Sequence, residues 1–338
     1  MNTCLNAAIA VTLTGLIAAC GGGGAGGDAS SASSSQAITA SNGSDLASQG
    51  YQAANSIYNA GSVSGGNLMV SKSADGGARL SLVGLALSRI ESVERTGYPA
   101  GAGAASGAQV AAQGSFVDAV ACQGGGSIQL SVDDPDGDNA LSTGDSVVFR
   151  FDACRESGLT VSGQMSFTQI VITGTPTSSS RSVGATIAFS PITSTNGTDT
   201  ETIEGAFSFQ SALQTQPSIV VDATVTGDSM VATVNGRRRS MRAFDSSIRV
   251  DRTAGRYRHS LNATLDAAGV RVATPVPFEG SIGAFPSSGT LTVTDVAGRS
   301  ASLYATSATS VRIDLDVDGN GSVDSSVVRT WAQVVSAD

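Results

Sequence analysis

The chain has 338 residues, of which 41 are glycine and 8 proline, and only 14% are charged. Its 28 Asp and Glu against 19 Lys and Arg leave a formal charge of -9, which excludes a general nucleic-acid binder, because neutralising phosphates takes basic residues in excess. The length is ample for a full hydrophobic core, and the Gly-rich, Ser/Thr/Val-rich composition disfavours an all-helical fold.

Residues 7–19, AAIAVTLTGLIAA, are an uncharged run too short for a bilayer span, which needs about 20 apolar residues, but suited to the apolar core of a signal peptide. The run ends in Ile17-Ala18-Ala19-Cys20. That ending resembles the lipobox of bacterial lipoproteins, in which small residues precede a cysteine that is lipidated and becomes the new N-terminus. The resemblance implies a signal peptide over 1–19, a lipid on Cys20 and an anchor in a membrane outside the cytoplasm. Gly21, in place of Asp after the cysteine, implies the class sorted to the outer membrane. Residues 1–6 depart from the pattern, since they hold no Lys or Arg. The Gly/Ser tract that follows cannot bury a core and reads as a flexible tether over 20–43, reaching roughly 25 to 30 Å as a random coil.

Residues 44–58 are expected to be helical, with Ser44 as N-cap and Leu46, Ala53, Ile57 and Tyr58 along one face. A second helix is expected over 78–95, where Leu80, Val83, Leu87 and Ile90 fall at helical spacing. The stretch 96–113 is Gly/Ala-rich and loop-like, so 44–113 reads as a partly helical segment ahead of a β domain over 114–338. There the dominant period is two, in runs such as SIQLSV, DSVVFRF, SIVVDATV and SVRIDLDV. Asp136-Gly137, Asn196-Gly197, Asn235-Gly236 and Asn320-Gly321 lie between such runs and supply the positive φ of tight hairpin turns. The expected fold is mainly β: a large antiparallel meander, sandwich or partly open barrel with one or two N-terminal helices. Short Ser/Thr-rich strands and 5% aromatics argue against a transmembrane barrel.

Cys122 and Cys154 are the cysteines of the body, and an oxidising envelope compartment would let them form a disulfide; two buried thiols is the other reading. Two Asp-rich loops follow calcium-loop spacing. In VDDPDGDNALSTGD the candidate ligands are Asp134, Asp136, Asp138, Ser142 and Asp145; in DVDGNGSVD they are Asp316, Asp318, Asn320 and Asp324. Asp and Asn are equally at home in plain polar hairpin turns, so both readings stand. Eight of the eighteen arginines fall between 237 and 258. Within them Arg237 with Arg239, and Arg256 with Arg258, share strand faces and are candidates for binding anionic glycans or lipid headgroups; a solvated face is the alternative.

Catalytic chemistry has little to work with. His259 is the sole histidine, no GxSxG elbow is present, and a His-rich zinc site is excluded by count. Trp331 reads as a core residue before a sugar-stacking platform. The chain also resembles the Ser/Thr/Gly-rich lipoproteins of Gram-negative envelopes, a loose class likeness that carries no activity. The expected function is a non-catalytic, lipid-anchored envelope scaffold for binding, adhesion or structure, with calcium as the one candidate cofactor. The alternative is a lipid or amphiphile carrier with an apolar cavity.

Overall fold

The computed structural model describes residues 36–61, 71–72, 78–79, 115–138, 141–156, 158–175, 178–197, 199–266 and 268–335. The expected signal peptide, Cys20 and most of the expected tether lie outside them. Gln36 onward does not behave as tether: the Gln36 N–H donates to Ala268 O at 2.6 Å, the Ile38 N–H donates to Asp295 Oδ2 at 3.0 Å, and Ile38 is fully buried. One apolar side chain in an otherwise polar tract is what draws this end of the segment into the core.

Helix α1 spans Gly43–Gly61. Its cap is Asn42 and not Ser44: the N–H groups of Asp45 and Leu46 donate to Asn42 O, while Ser44 Oγ accepts from Arg329 Nη2 at 2.8 Å. Leu46, Ala47, Tyr51, Ala54 and Ile57 bury one face of the helix. Gly50, which reads in sequence as an interruption, is a contact point. A Cβ there would stand 3.0 Å from Val293 Cγ2 and 3.1 Å from Leu291 Cδ2. The expected second helix is not supported at its start, where β2 (Ala78–Arg79) pairs antiparallel with β1 (Ser71–Lys72). The intervening Asp75-Gly76-Gly77 is turn chemistry, which favours a reversal over a continuing helix. Residues 80–95 lie outside the described set.

Among the described residues, all other strands form one antiparallel sheet of 14, in which every strand pairs with its neighbours in sequence. It runs through β3 (Ser115–Ala121), β4 (Ser127–Asp133), β5 (Ser146–Glu156), β6 (Leu159–Thr173), β7 (Ser180–Asn196), β8 (Asp199–Gln214) and β9 (Val220–Val234). It continues through β10 (Arg237–Asp251), β11 (Arg256–Leu265), β12 (Val270–Ser281), β13 (Ser288–Thr294), β14 (Ser300–Ala305), β15 (Ser310–Asp316) and β16 (Ser325–Thr330). The fold is therefore a meander, not a two-sheet sandwich. Its tight turns use the expected chemistry: Asn235 and Gly236, between β9 and β10, have φ of 50° and 79°.

Alternation sets the two faces. On β11, Tyr257, His259, Leu261, Ala263 and Leu265 are buried while Arg256, Arg258 and Asn262 face out. The inward rows of β4 to β15 belong to one contiguous core, which includes Phe149, Phe151, Met165 and Phe167 on one side and Val293, Leu303 and Ile313 on the other. Helix α1 packs on β13, β14 and β15 and also on β9, β10 and β11, so the later strands curl around it. The last described element is α2 (Trp331–Val335), where the sequence suggests continued strand. Thr330 and Gln333 close a capping box, with the Gln333 N–H donating to Thr330 Oγ1 at 3.2 Å and the Thr330 N–H to Gln333 Oε1 at 2.9 Å. Trp331 is 1% exposed, stacks on Phe285, packs at a tilt against Tyr51, and donates its indole N–H to Pro286 O and Ser307 O.

Candidate functional site

Cys122 and Cys154 form a disulfide, their Cα atoms 5.5 Å apart. It ties the β3–β4 turn to the end of β5. Around it the Gly124–Gly126 run lies flat on β5, with the Gly124 N–H donating to Arg155 O and the Arg155 N–H to Gly125 O. A side chain at Gly126 would meet Ala153 O at 2.1 Å, so this closure depends on glycine.

The first Asp-rich loop joins β4 to β5. Asp134, Asp136 and Asp138 each bring a carboxylate oxygen within 4.8 Å of the others, an arrangement that could hold a metal ion. Asp134 is buried and accepts from the Gly137 N–H at 2.8 Å. Ser142 Oγ donates to Asp136 Oδ2 at 3.0 Å and reaches Asp145 Oδ1 at 3.5 Å, so all five expected residues fall in one neighbourhood. The N–H of Asp138, the adjoining Asp134 carboxyl and the Ser142 hydroxyl hold the Asp136 carboxyl below its ordinary value. Asp145 moves the other way: burial pushes its carboxyl up against the opposing Ser142 N–H, and the charges of Asp134, Asp136 and Asp138 add to the rise.

The second loop joins β15 to β16, and Asp316, Asp318 and Asp324 gather in the same manner, within 4.8 Å. Asp316 accepts from the N–H groups of Gly319, Asn320 and Gly321. Burial opposes its ionisation, but the Gly321 and Gly319 N–H groups, Asp318 and the Asn320 N–H outweigh it and lower the pKa. Asn320 donates its amide to Asp318 Oδ2 at 2.8 Å and accepts from the Ser322 N–H at 2.7 Å. In both loops the donor set is all oxygen, which suits hard cations such as calcium.

The arginine candidates do not converge. Arg237 and Arg239 stand beside the β9–β10 turn, while Arg256 and Arg258 open β11 at the far end of β10. A bulge at Ala243, φ 47°, breaks the register between Arg242 and Asp245 and inverts the alternation of β10. Arg239 is consequently half-buried and donates to Gln52 Oε1 on α1, and nothing is described of the Arg237 side chain. Arg256 and Arg258 do share the outward face.

A feature not visible in the linear sequence lies on that face. A groove of about 820 Å³ crosses β6 to β11. Its lining includes Gln169, Gln210, Asp222, Thr224, Arg249 and Arg258, over the small residues Gly184 and Ala212. Arg249 faces Asp222 on one side and Arg258 on the other, and Arg258 faces Glu279, so that charges run Asp, Arg, Arg, Glu across four strands. Only strand register assembles this row: Arg249 and Arg258 fall nine residues apart, but Asp222 and Glu279 join them from strands on either side.

Comparison of the chain with protein-family models, with curated proteins and with solved structures gives no match in any of the three.

Proposed function

We propose that this chain is a lipid-anchored scaffold of the bacterial outer membrane that binds a partner on the outward face of its sheet and performs no catalysis. The observation that carries this reading is the division of the sheet into two faces. The inward face is spent on a continuous core. The outward face of the long strands presents hydroxyl, amide and guanidinium groups around an open groove. His259, the sole histidine, is 2% exposed and so is withdrawn from any surface chemistry. Anchoring rests on the lipobox-like Ile17-Ala18-Ala19-Cys20, and the disulfide fits an oxidising compartment. The outward polarity is the reverse of what a lipid-facing barrel needs.

Calcium is the metal this reading assigns to the two acidic loops, in a structural role. They lie in the β4–β5 and β15–β16 loops, near the two edges of an open sheet, where strands have a partner on one side or few neighbours. Anionic glycans or headgroups are the partner class that suits the outward arginines.

The competing carrier reading needs an interior that accepts an amphiphile. Uptake of a fluorescent fatty-acid probe by the Cys20→Ala chain separates the two. The scaffold reading expects no saturable uptake, and stoichiometric uptake would overturn it. The same variant should also lose labelling by a lipid precursor, and unchanged labelling would remove the anchor from the proposal.

A further inference from the structure

We propose that the outward groove across β6–β11 is a binding site for an acidic oligosaccharide, with the ligand's carboxylate or phosphate lying across Arg249 and Arg258 and its hydroxyls along the adjoining rows. This deepens the scaffold reading by narrowing its partner class to a glycan and giving that ligand a site, and rests on it.

Two cross-strand rows build the site. One runs Val171, Gly184, Gln210, Thr224, Ser247 and Ser260; each is the register partner of the next. The neighbouring row runs Ser182, Ala212, Asp222, Arg249, Arg258 and Glu279 in the same way. Directly opposed like charges destabilise a sheet, and the flanking Asp222 and Glu279 offset this pair. The offset is incomplete. Arg249 uses Nη1 alone on Asp222, at 3.0 and 2.9 Å, and Arg258 approaches Glu279 only through Nε, at 3.7 Å. The remaining donors of both guanidinium groups have no partner among the described residues, and both side chains are about half exposed. Facing residues on adjacent strands stand about 5 Å apart at Cβ, a span one carboxylate or phosphate can bridge with charge-assisted hydrogen bonds.

Gly184 supplies an independent argument. Glycine weakens a strand interior and is kept where packing or close approach requires it. Here packing does not: a Cβ would meet Gln210 Cγ and Phe209 O at 3.7 Å and Val171 Cβ at 4.0 Å, ordinary contacts, and φ lies outside the left-handed region. What the missing side chain does is leave the groove floor open between Val171 and Gln210. A volume of about 820 Å³ is within the range of small-ligand sites and accommodates two or three sugar rings. The amides and hydroxyls on its walls are groups that exchange hydrogen bonds with a polyol, and the arginines select for an anion.

The test is calorimetric titration of the full mature lipoprotein in detergent micelles with a uronic-acid trisaccharide, a phosphorylated trisaccharide and a neutral trisaccharide of the same linkage. At least one acidic probe should bind tenfold or more tighter than the neutral one, with affinity falling as salt rises; which of the two does so identifies the anion. Arg249→Gln and Arg258→Gln should each cut that preference at least fivefold. Gly184→Leu should weaken binding at least tenfold with an unchanged melting temperature. Equal affinity for acidic and neutral probes, no binding of either acidic probe at millimolar concentration, or wild-type binding by both arginine variants would overturn the assignment. The fatty-acid uptake measurement is unaffected by these outcomes, so the site and the scaffold reading fail separately.

Discussion

His259 sits on β11 between the rings of Tyr257 and Phe278, with centroids 6.0 and 5.4 Å away. Burial pushes its imidazole down to about 4. A folded-state pKa below the unfolded one means that protons bind the unfolded chain first as pH falls. Stability is therefore full above about 6.5 and declines between there and about 4, by about 3 kcal/mol in all. His259→Phe should flatten this slope, read as urea midpoints at pH 7 and pH 4.5; an identical slope in the variant would contradict the assignment. Asp295 works in the opposite sense. Burial opposes its charge, but the Ile38 N–H, the Arg299 guanidinium and the N–H groups of Ala297 and Arg299 hold its pKa below the ordinary value. Its contribution is present above the unfolded carboxylate range and disappears as pH falls through the lowered pKa. Asp295→Ala should destabilise by about 3 kcal/mol at neutral pH and release the Ile38 segment, visible as faster amide exchange there. That His259 and Arg258 take opposite faces of β11 was legible from alternation alone; which face is inward comes from the structure. The rings around His259 were not, because Phe278 arrives through register with β12.

Among the elements, the β4–β5 and β15–β16 hairpins differ from the middle of the sheet. Few strands lie beyond them, and both carry acidic clusters in their loops. The β3–β5 end also has the disulfide. In the chain-entropy model a closed loop of this size contributes about 3 to 4 kcal/mol. Cys154→Ala should accordingly lower the melting temperature by roughly 6 to 15 °C. Calcium at a hundred times its dissociation constant should add about 2.7 kcal/mol per site. Asp136→Asn with Asp318→Asn should abolish that gain, and a melting temperature indifferent to millimolar calcium would remove the metal from the account. Because burial and neighbouring charges raise the Asp145 pKa, the calcium effect should weaken in acid. The gathering of the Asp residues was readable because each cluster lies within one loop. The arginine cluster is divided between the two faces because a single bulge residue, Ala243, reverses which side of β10 points inward. The Thr330-Trp-Ala-Gln333 capping box was a local signal for α2 that the strand-like run before it masked.

At the scale of the whole molecule, period-two runs joined by Asn-Gly and Asp-Gly turns sufficed to indicate antiparallel neighbours. They could not distinguish one curled sheet from two packed ones, since that depends on what the inward face meets. Here part of the answer is α1, seated by Gly50 against Val293 and Leu291. Gly50→Leu should overfill that contact and cost about 1 to 3 kcal/mol, measured by denaturant unfolding. The groove was illegible for a related reason: its floor and charges come from six strands, and a one-residue slip in any of them would dissolve it. The division of labour between a filled inner face and an exposed binding face is the centre of this account. Native mass spectrometry of the mature protein tests it most directly. The scaffold predicts the mass of the chain from Cys20 with its covalent acyl groups and no further lipid. One free amphiphile per chain, lost on organic extraction, would contradict it.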